Sequence, residues 1–284
     1  MSSSRGPVLT EIPYGDDPAQ TVDVFAPTEL PEETTVLVNL HGGAWYTGDK
    51  SLATECCMQL ARRGLIVVNA NYRIRLEDPV PLMVSDALSV LEWLASATNP
   101  PAFVRAAARN GVTLAGDSAG AHIAALASAA KLDPSLAELL GVDELAASAA
   151  GRISALISWS GALGLDELLV GEDHPEYERF GGYIATIAAG WPAAQSAKRI
   201  SELDPVTWLS ERMPPTLVFT SALDFFHDST LAFTAAARRS CYPITEIVFD
   251  ASHPKCSHSW QLNPSLPESQ RTYDLTANFA KVRR

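Results

Sequence analysis

The chain has 284 residues, 47% of them hydrophobic and 19% charged, and its 21 basic and 33 acidic side chains leave a net charge of −12. So acidic a balance repels phosphate backbones and lacks the basic stripe from which nucleic-acid binders draw counterion release. Seventeen glycines and nineteen prolines are scattered, which excludes collagen-like and low-complexity classes, and no apolar run approaches the ~18 residues of a membrane span. The opening Met1 to Asp17 lacks the apolar core of an export signal. Cys56, Cys57, Cys241 and Cys256 form neither a C-x-x-C pair nor a zinc spacing, so a disulfide framework is not expected. These features predict a cytoplasmic protein acting on a small molecule, with no nucleic-acid partner and no membrane span. They leave its oligomeric state open.

In chain order, two short strands are expected at Leu9 to Ile12 and Val22 to Phe25, on either side of the turn-rich Tyr14-Gly15-Asp16-Asp17-Pro18. After the Pro/Glu-rich stretch Pro27 to Glu33, near-continuous apolar runs recur at Thr35 to Leu40, Leu65 to Ala70, Val112 to Ala115, Ile153 to Trp159, Thr216 to Thr220 and Ile244 to Phe249. Runs of this kind suit strands buried on both faces of a parallel sheet. Helical patterns lie between or after them, at Leu52 to Arg63, Pro81 to Ala95, Ala119 to Lys131, Ser229 to Ser240 and Glu268 to Val282. The alternation predicts a single α/β domain over residues 1–284, with a mostly parallel central sheet and right-handed crossovers. Ala162 to Leu209 is too long for a simple crossover and is read as a short inserted cap.

Gly116-Asp117-Ser118-Ala119-Gly120 directly follows the strand Val112 to Ala115 and opens the helix-forming run Ala121 to Leu126. A G-x-S-x-G sequence between strand and helix suits a strained turn that exposes the serine hydroxyl, with the helix N-terminus facing a developing oxyanion. The ordinary alternative is a Gly/Ser turn in a structural or nucleotide-binding loop. His41-Gly42-Gly43-Ala44-Trp45 follows a second strand, and its paired glycines would let backbone N–H groups face a substrate oxygen. Gly42, Gly43 and Ala119 are therefore the candidate oxyanion donors.

These motifs resemble the α/β-hydrolase superfamily, and within it the hormone-sensitive-lipase-like carboxylesterases, from about Tyr14 to Phe279. Asn71-Tyr72-Arg73 with Pro79, Pro81 and Asp86 is similar to that branch's Y-R-x-A-P-E…P…D stretch, although Arg75-Leu76-Glu77 replaces its Ala-Pro-Glu. Ala44 stands in for a third oxyanion glycine, and the branch's long N-terminal helical cap is missing. Trp45 to Ser51, and the opening Tyr14-Gly15…Asp23-Val24-Phe25…Pro27, also resemble the kynurenine formamidase branch. The resemblance implies the α/β-hydrolase fold and a serine triad in the order Ser, acid, His.

Asp224, on the loop after Thr216 to Thr220, matches the superfamily's G-x-x-D position. Asp228, which suits a helix cap, and Asp250 are its rivals. Among six histidines, His41 would brace the oxyanion loop, His122 would pack in a helix, His174 would be solvated, and His227 lies too close in sequence to Asp224. His258 heads Ser259-Trp260-Gln261…Pro267-Glu268, similar to the branch's H-x-W-Q…P-E ending, and is preferred to His253 on the same loop. Cys256 lacks the context of a nucleophile, Cys56 and Cys57 read as core, and Asp16-Asp17 and Glu32-Glu33 read as solvated charges, not metal ligands. The expected reaction is hydrolysis of a carboxylic ester of a small or aromatic substrate through an acyl-enzyme, without metal or organic cofactor. Arylformamide hydrolysis and a non-hydrolytic cyclase or lyase on the same fold are the alternatives. Trp45, Tyr46, Trp191, Phe225 and Phe226 are the expected pocket walls.

Overall fold

The computed structural model describes residues 6–30, 34–148 and 152–282. The expected charges Glu32-Glu33 and the first five residues of the opening segment lie outside that range. Among the described residues, eight strands form one sheet: β1 (Val8–Pro13), β2 (Thr21–Phe25), β3 (Thr35–Leu40), β4 (Leu65–Ala70), β5 (Val112–Asp117), β6 (Ile153–Trp159), β7 (Thr216–Ser221) and β8 (Ile244–Phe249), in spatial order β1-β2-β4-β3-β5-β6-β7-β8. The β1–β2 and β2–β4 pairs are antiparallel and the other five pairings are parallel.

Among the described residues, ten helices surround the sheet: α1 (Thr54–Arg62), α2 (Pro79–Ala95), α3 (Ala102–Ala108), α4 (Ala119–Ala130), α5 (Pro134–Leu140), α6 (Asp143–Ala147), α7 (Tyr177–Ile187), α8 (Ser196–Leu203), α9 (His227–Arg239) and α10 (Pro267–Val282). This is the α/β-hydrolase arrangement, a mostly parallel sheet flanked by helices.

Alternation along the strands explains the two-sided core. Val36, Val38 and Leu40 of β3 face the cluster that holds Leu88, Leu91, Ile123 and Phe233, whereas Leu37 faces the other side with Cys57, Leu60, Tyr273 and Ala277. Because successive side chains point to opposite faces, a strand covered on both sides must be apolar throughout. That is why β3, β4, β5 and β7 are buried along their whole length, while the edge strand β8 is only partly so.

Three expected helices start earlier than their apolar pattern, α10 by a single residue at Pro267. The second begins at Pro79, since proline at a helix's first positions gives up only an N–H that has no partner there anyway, and α9 begins at His227. The first is split into a 3₁₀ turn (Lys50–Ala53), which Asp49 caps by accepting from the Ser51 N–H, and α1. The short α3, α5 and α6 were not anticipated. Between β6 and β7 the chain carries α7, α8 and several 3₁₀ turns. Buried Arg199 of α8 ties this segment to the start of α2 through a 2.7 Å ion pair with Asp78, and the Asp78 N–H donates to the Ala189 carbonyl. No described helix is long and apolar enough to cross a membrane.

Candidate active site

The site is assembled where β3, β5, β6, β7 and β8 end. In-register pairing places Leu40 beside Gly116 and Trp159 beside Asp117, so the turns after β3 and β5 lie side by side. Ser118 occupies the turn into α4 with φ +54° and ψ −119°. A non-glycine residue there is strained, and it persists only because its surroundings fix it: the Ser118 N–H donates to the Trp159 carbonyl at 3.0 Å. Gly120 lets α4 approach β3 closely, because a Cβ at that position would collide with the Leu40 carbonyl.

Ser118 Oγ lies 2.9 Å from His258 Nε2, and His258 Nδ1 lies 2.9 Å from Asp224 Oδ1. An ionised carboxylate only accepts, so Nδ1 carries the proton and the Nε2 lone pair faces the serine hydroxyl. Asp224 Oδ1 also accepts the Phe226 N–H at 2.9 Å. Its carboxylate is almost fully buried, and Oδ2 has no partner among the described residues. The acid and base loops are pinned together by a bridge between Leu223 and Ser257, and by a hydrogen bond from Ser221 Oγ to the Cys256 carbonyl. Such a chain can take a proton from a hydroxyl and stabilise the imidazolium that results.

The rival residues lie elsewhere. His253 Nδ1 pairs with Glu268 Oε1 at 2.9 Å, and the imidazole holds that carboxyl below its usual range. Asp228 sits in the first turn of α9, and Asp250 receives the Ser252 N–H. His122 is wholly buried, bonded to the Leu203 carbonyl through Nε2, and burial lowers its pKa to about 4. His227 Nδ1 contacts Thr220 Oγ1, and His174 stacks on Phe180. Cys256 is buried, and desolvation raises its thiol pKa.

His41 stacks on Tyr72 with ring centroids 4.3 Å apart, while the Tyr72 hydroxyl donates to the His41 carbonyl at 2.7 Å. This clamp holds the Gly42-Gly43 turn beside Ser118. Gly43 has φ +143°, a conformation that L side chains rarely adopt. No hydrogen bond among the described residues engages the N–H groups of Gly42, Gly43 or Ala119. Ala44, the departure from a third glycine, sits at φ +52°, a left-handed conformation costing roughly 1–2 kcal/mol for an L-residue.

Sequence reasoning missed Asp117, the variable residue of the G-x-S-x-G motif. Its buried carboxyl accepts from Ser259 Oγ at 2.9 Å and from Gln261 Nε2 at 2.5 Å, tying the segment after His258 to the turn that carries Ser118. Desolvation raises the Asp117 pKa. The only available signal was its place in the motif, which says nothing about partners some 140 residues away.

A cavity of about 340 Å³ opens over Ser118 and His258, walled by Leu52, Ala53, Leu262, Tyr183 and Phe225, with Gly42 and Gly43 on one side. Of the five expected aromatic walls, only Phe225 lines it. Trp45 is not a wall of the cavity: it is fully buried, and its Nε1 donates to His122 Nδ1 at 3.0 Å, which gives the indole N–H its partner inside the core. Tyr46 is 53% exposed and stands outside the cavity wall. Trp191 instead lies under the Arg199 guanidinium at 4.6 Å. Phe226 is buried behind Phe225 and stacks on Phe180. Tyr183 of α7 was missed because nothing in its local sequence distinguishes a wall from a core position. No cluster of three or more potential metal ligands occurs among the described residues.

The fold and the geometry at the strand ends define an α/β-hydrolase. The chain belongs to the BD-FAE family, which matches residues 22–228 and so includes Ser118 and Asp224 but stops before His258. It is 30% identical over 223 residues to the isoprenylcysteine alpha-carbonyl methylesterase ICME of Arabidopsis thaliana, covering 77% of this chain and 49% of that protein. It is also 30% identical over 122 residues to the kynurenine formamidase of Salmo salar, covering 42% of this chain and 37% of that one. The chain spans about half the length of the curated relatives it matches over most of its own length. A solved structure, esterase B from Lactobacillus rhamnosis with a bound inhibitor, superposes with a TM-score of 0.82 over 99% of this chain and 89% of that one at 22% identity, a likeness of fold.

Proposed function

We propose that this protein is a serine hydrolase that cleaves a carboxylic ester of a small or aromatic substrate through an acyl-enzyme. The observation that carries the reading is the unbroken chain from Ser118 Oγ to His258 to Asp224, with 2.9 Å at each link. His258 Nε2 takes the Ser118 proton as Oγ attacks the carbonyl carbon. The N–H groups of Gly42, Gly43 and Ala119 then receive the oxyanion, where losing one donor typically costs about 3 kcal/mol. The imidazolium returns the proton to the departing alkoxide. A water, deprotonated by the same nitrogen, releases the acid and restores Ser118. These steps call for no metal or organic cofactor.

We read Ala162 to Leu209 as a cap over the cavity, supported by Tyr183, which it contributes to the wall. A cavity of this size and apolar wall suits a short acyl chain or an aromatic group.

Arylformamide cleavage is the second reading, favoured by the similarity to a kynurenine formamidase. A panel of p-nitrophenyl esters from acetate to palmitate, run beside N-formylkynurenine, separates the two. Best turnover on short or aromatic esters is expected. A preference for N-formylkynurenine over every ester would transfer the assignment to the formamidase, and best rates on chains of about ten carbons or more would contradict the small pocket.

A further inference from the structure

A second chamber, of about 160 Å³, lies beyond the catalytic cavity between the Ala162 to Leu209 segment and the start of α9. Among the described residues, Phe225 alone lines both spaces. Its ring lies 4.0 Å from the His258 ring and 4.7 Å from the Phe226 ring, while the Arg179 guanidinium sits 4.4 Å from its centroid. Buried Leu168 and Phe180, with Val170, supply the apolar lining of the chamber, and the exposed side chains of Glu167, His174 and Asp228 line it as well.

We infer that Phe225 is a specificity-determining partition: it closes off a second subsite, apolar along Leu168, Val170 and Phe180 and polar along Glu167, His174, Asp228 and Ser229, that would otherwise extend the catalytic cavity, and so limits the substrate to short or compact groups. The inference rests on reading the cavity over Ser118 as the substrate site. The chamber's volume corresponds to about five water-sized shares of ~30 Å³, and a methylene is of similar size, so four or five more methylenes of an alkyl group fit behind the ring. The carboxylates of Glu167 and Asp228 make the chamber suited to an uncharged end and hostile to one that ends in a carboxylate. The geometry does not depend on whether the acyl or the alcohol part of a substrate points toward Phe225, because the partition acts on whichever group lies on that side.

The test is a binding measurement, so it stands or falls independently of turnover. Calorimetric titration with butan-1-ol and decan-1-ol would compare the wild type, Phe225→Ala and Phe225→Ala/Val170→Phe. Phe225→Ala should tighten decan-1-ol binding about tenfold or more, since each buried methylene contributes to binding, and should leave butan-1-ol within about threefold. Refilling the chamber with Val170→Phe should remove most of the gain. Phe225→Leu serves in place of the alanine variant if that variant does not fold, with a smaller gain of about threefold expected. No gain for decan-1-ol in the opened variant, or a gain that survives Val170→Phe, would overturn the partition. A wild type inactive on every ester and formamide would overturn the hydrolase reading and leave this result intact.

Discussion

His258 and His253 lie five residues apart on one loop, each with a carboxylate 2.9 Å from Nδ1, and yet they occupy different chemical situations. His258 pairs with a buried acid on a neighbouring loop and presents Nε2 to a strained serine. His253 pairs with Glu268 at the start of α10, with a third of its side chain in solvent. The difference lies in what the second ring nitrogen faces. An imidazole becomes a useful base when one nitrogen is held by an acid and the other is aimed at an acidic proton, and the His258 loop achieves this through its bridge to Leu223 and the Asp117 contacts to Ser259 and Gln261.

The largest effect expected from breaking this contrast is on turnover. His258→Ala should lower kcat on p-nitrophenyl acetate by about 10⁵-fold or more, while His253→Ala should keep at least about a tenth of it, since it removes a pair remote from the serine. The reverse result would move the base five residues along the loop. Asp224→Asn comes next, with a loss of about 10⁴-fold because an amide no longer enforces the productive tautomer. A loss under tenfold would point to another acid.

Smaller effects sharpen the line between wall and core. Trp45→Phe leaves His122 Nδ1 without its donor in a fully buried site, so it should destabilise the fold by about 1–3 kcal/mol in denaturant titration and leave ester specificity unchanged. A changed chain-length profile would return Trp45 to the pocket. The last effect concerns Asp204, a buried carboxyl that accepts from the N–H groups of Asp166 and Val206 and that burial raises to about 6. Because its folded pKa lies above the ordinary value of 3.8, the native state holds this proton more tightly, and that contribution to stability is present at low pH and lost as pH rises from about 4 to 6. Thermal melts at pH 4.5 and pH 7.5 should show the wild type losing about 2 kcal/mol more than Asp204→Asn across that interval. Equal losses would mean that the carboxyl titrates normally.

The parts of this molecule legible in the sequence are those fixed by local backbone chemistry. The strands β3, β4, β6 and β8 were read to the residue because each is an apolar run between turn residues. The Gly116–Gly120 and His41–Gly43 turns stood out because their backbones demand glycine at particular positions. The pocket walls were not legible in this way. Trp45 lies just past the oxyanion glycines as a wall residue would, yet the acceptor for its indole N–H, His122, lies in the core 77 residues along the chain. Tyr183 and the Asp117–Gln261 contact depend on how segments some 40 to 150 residues apart come together, and no short pattern encodes that. Asp224 and His258 fall between these cases. A motif suggested each of them, and only the convergence of the β7 and β8 loops brings them together with Ser118.

Stoichiometric labelling with a fluorophosphonate, read by peptide mass spectrometry, tests most directly whether Ser118 is a nucleophile made reactive by His258. A single adduct is expected on the peptide containing Ser118, in the wild type and in His253→Ala, with its loss or a large slowing in His258→Ala. An adduct on another serine with Ser118 unmodified, or labelling of Ser118 at the wild-type rate without His258, would contradict that role.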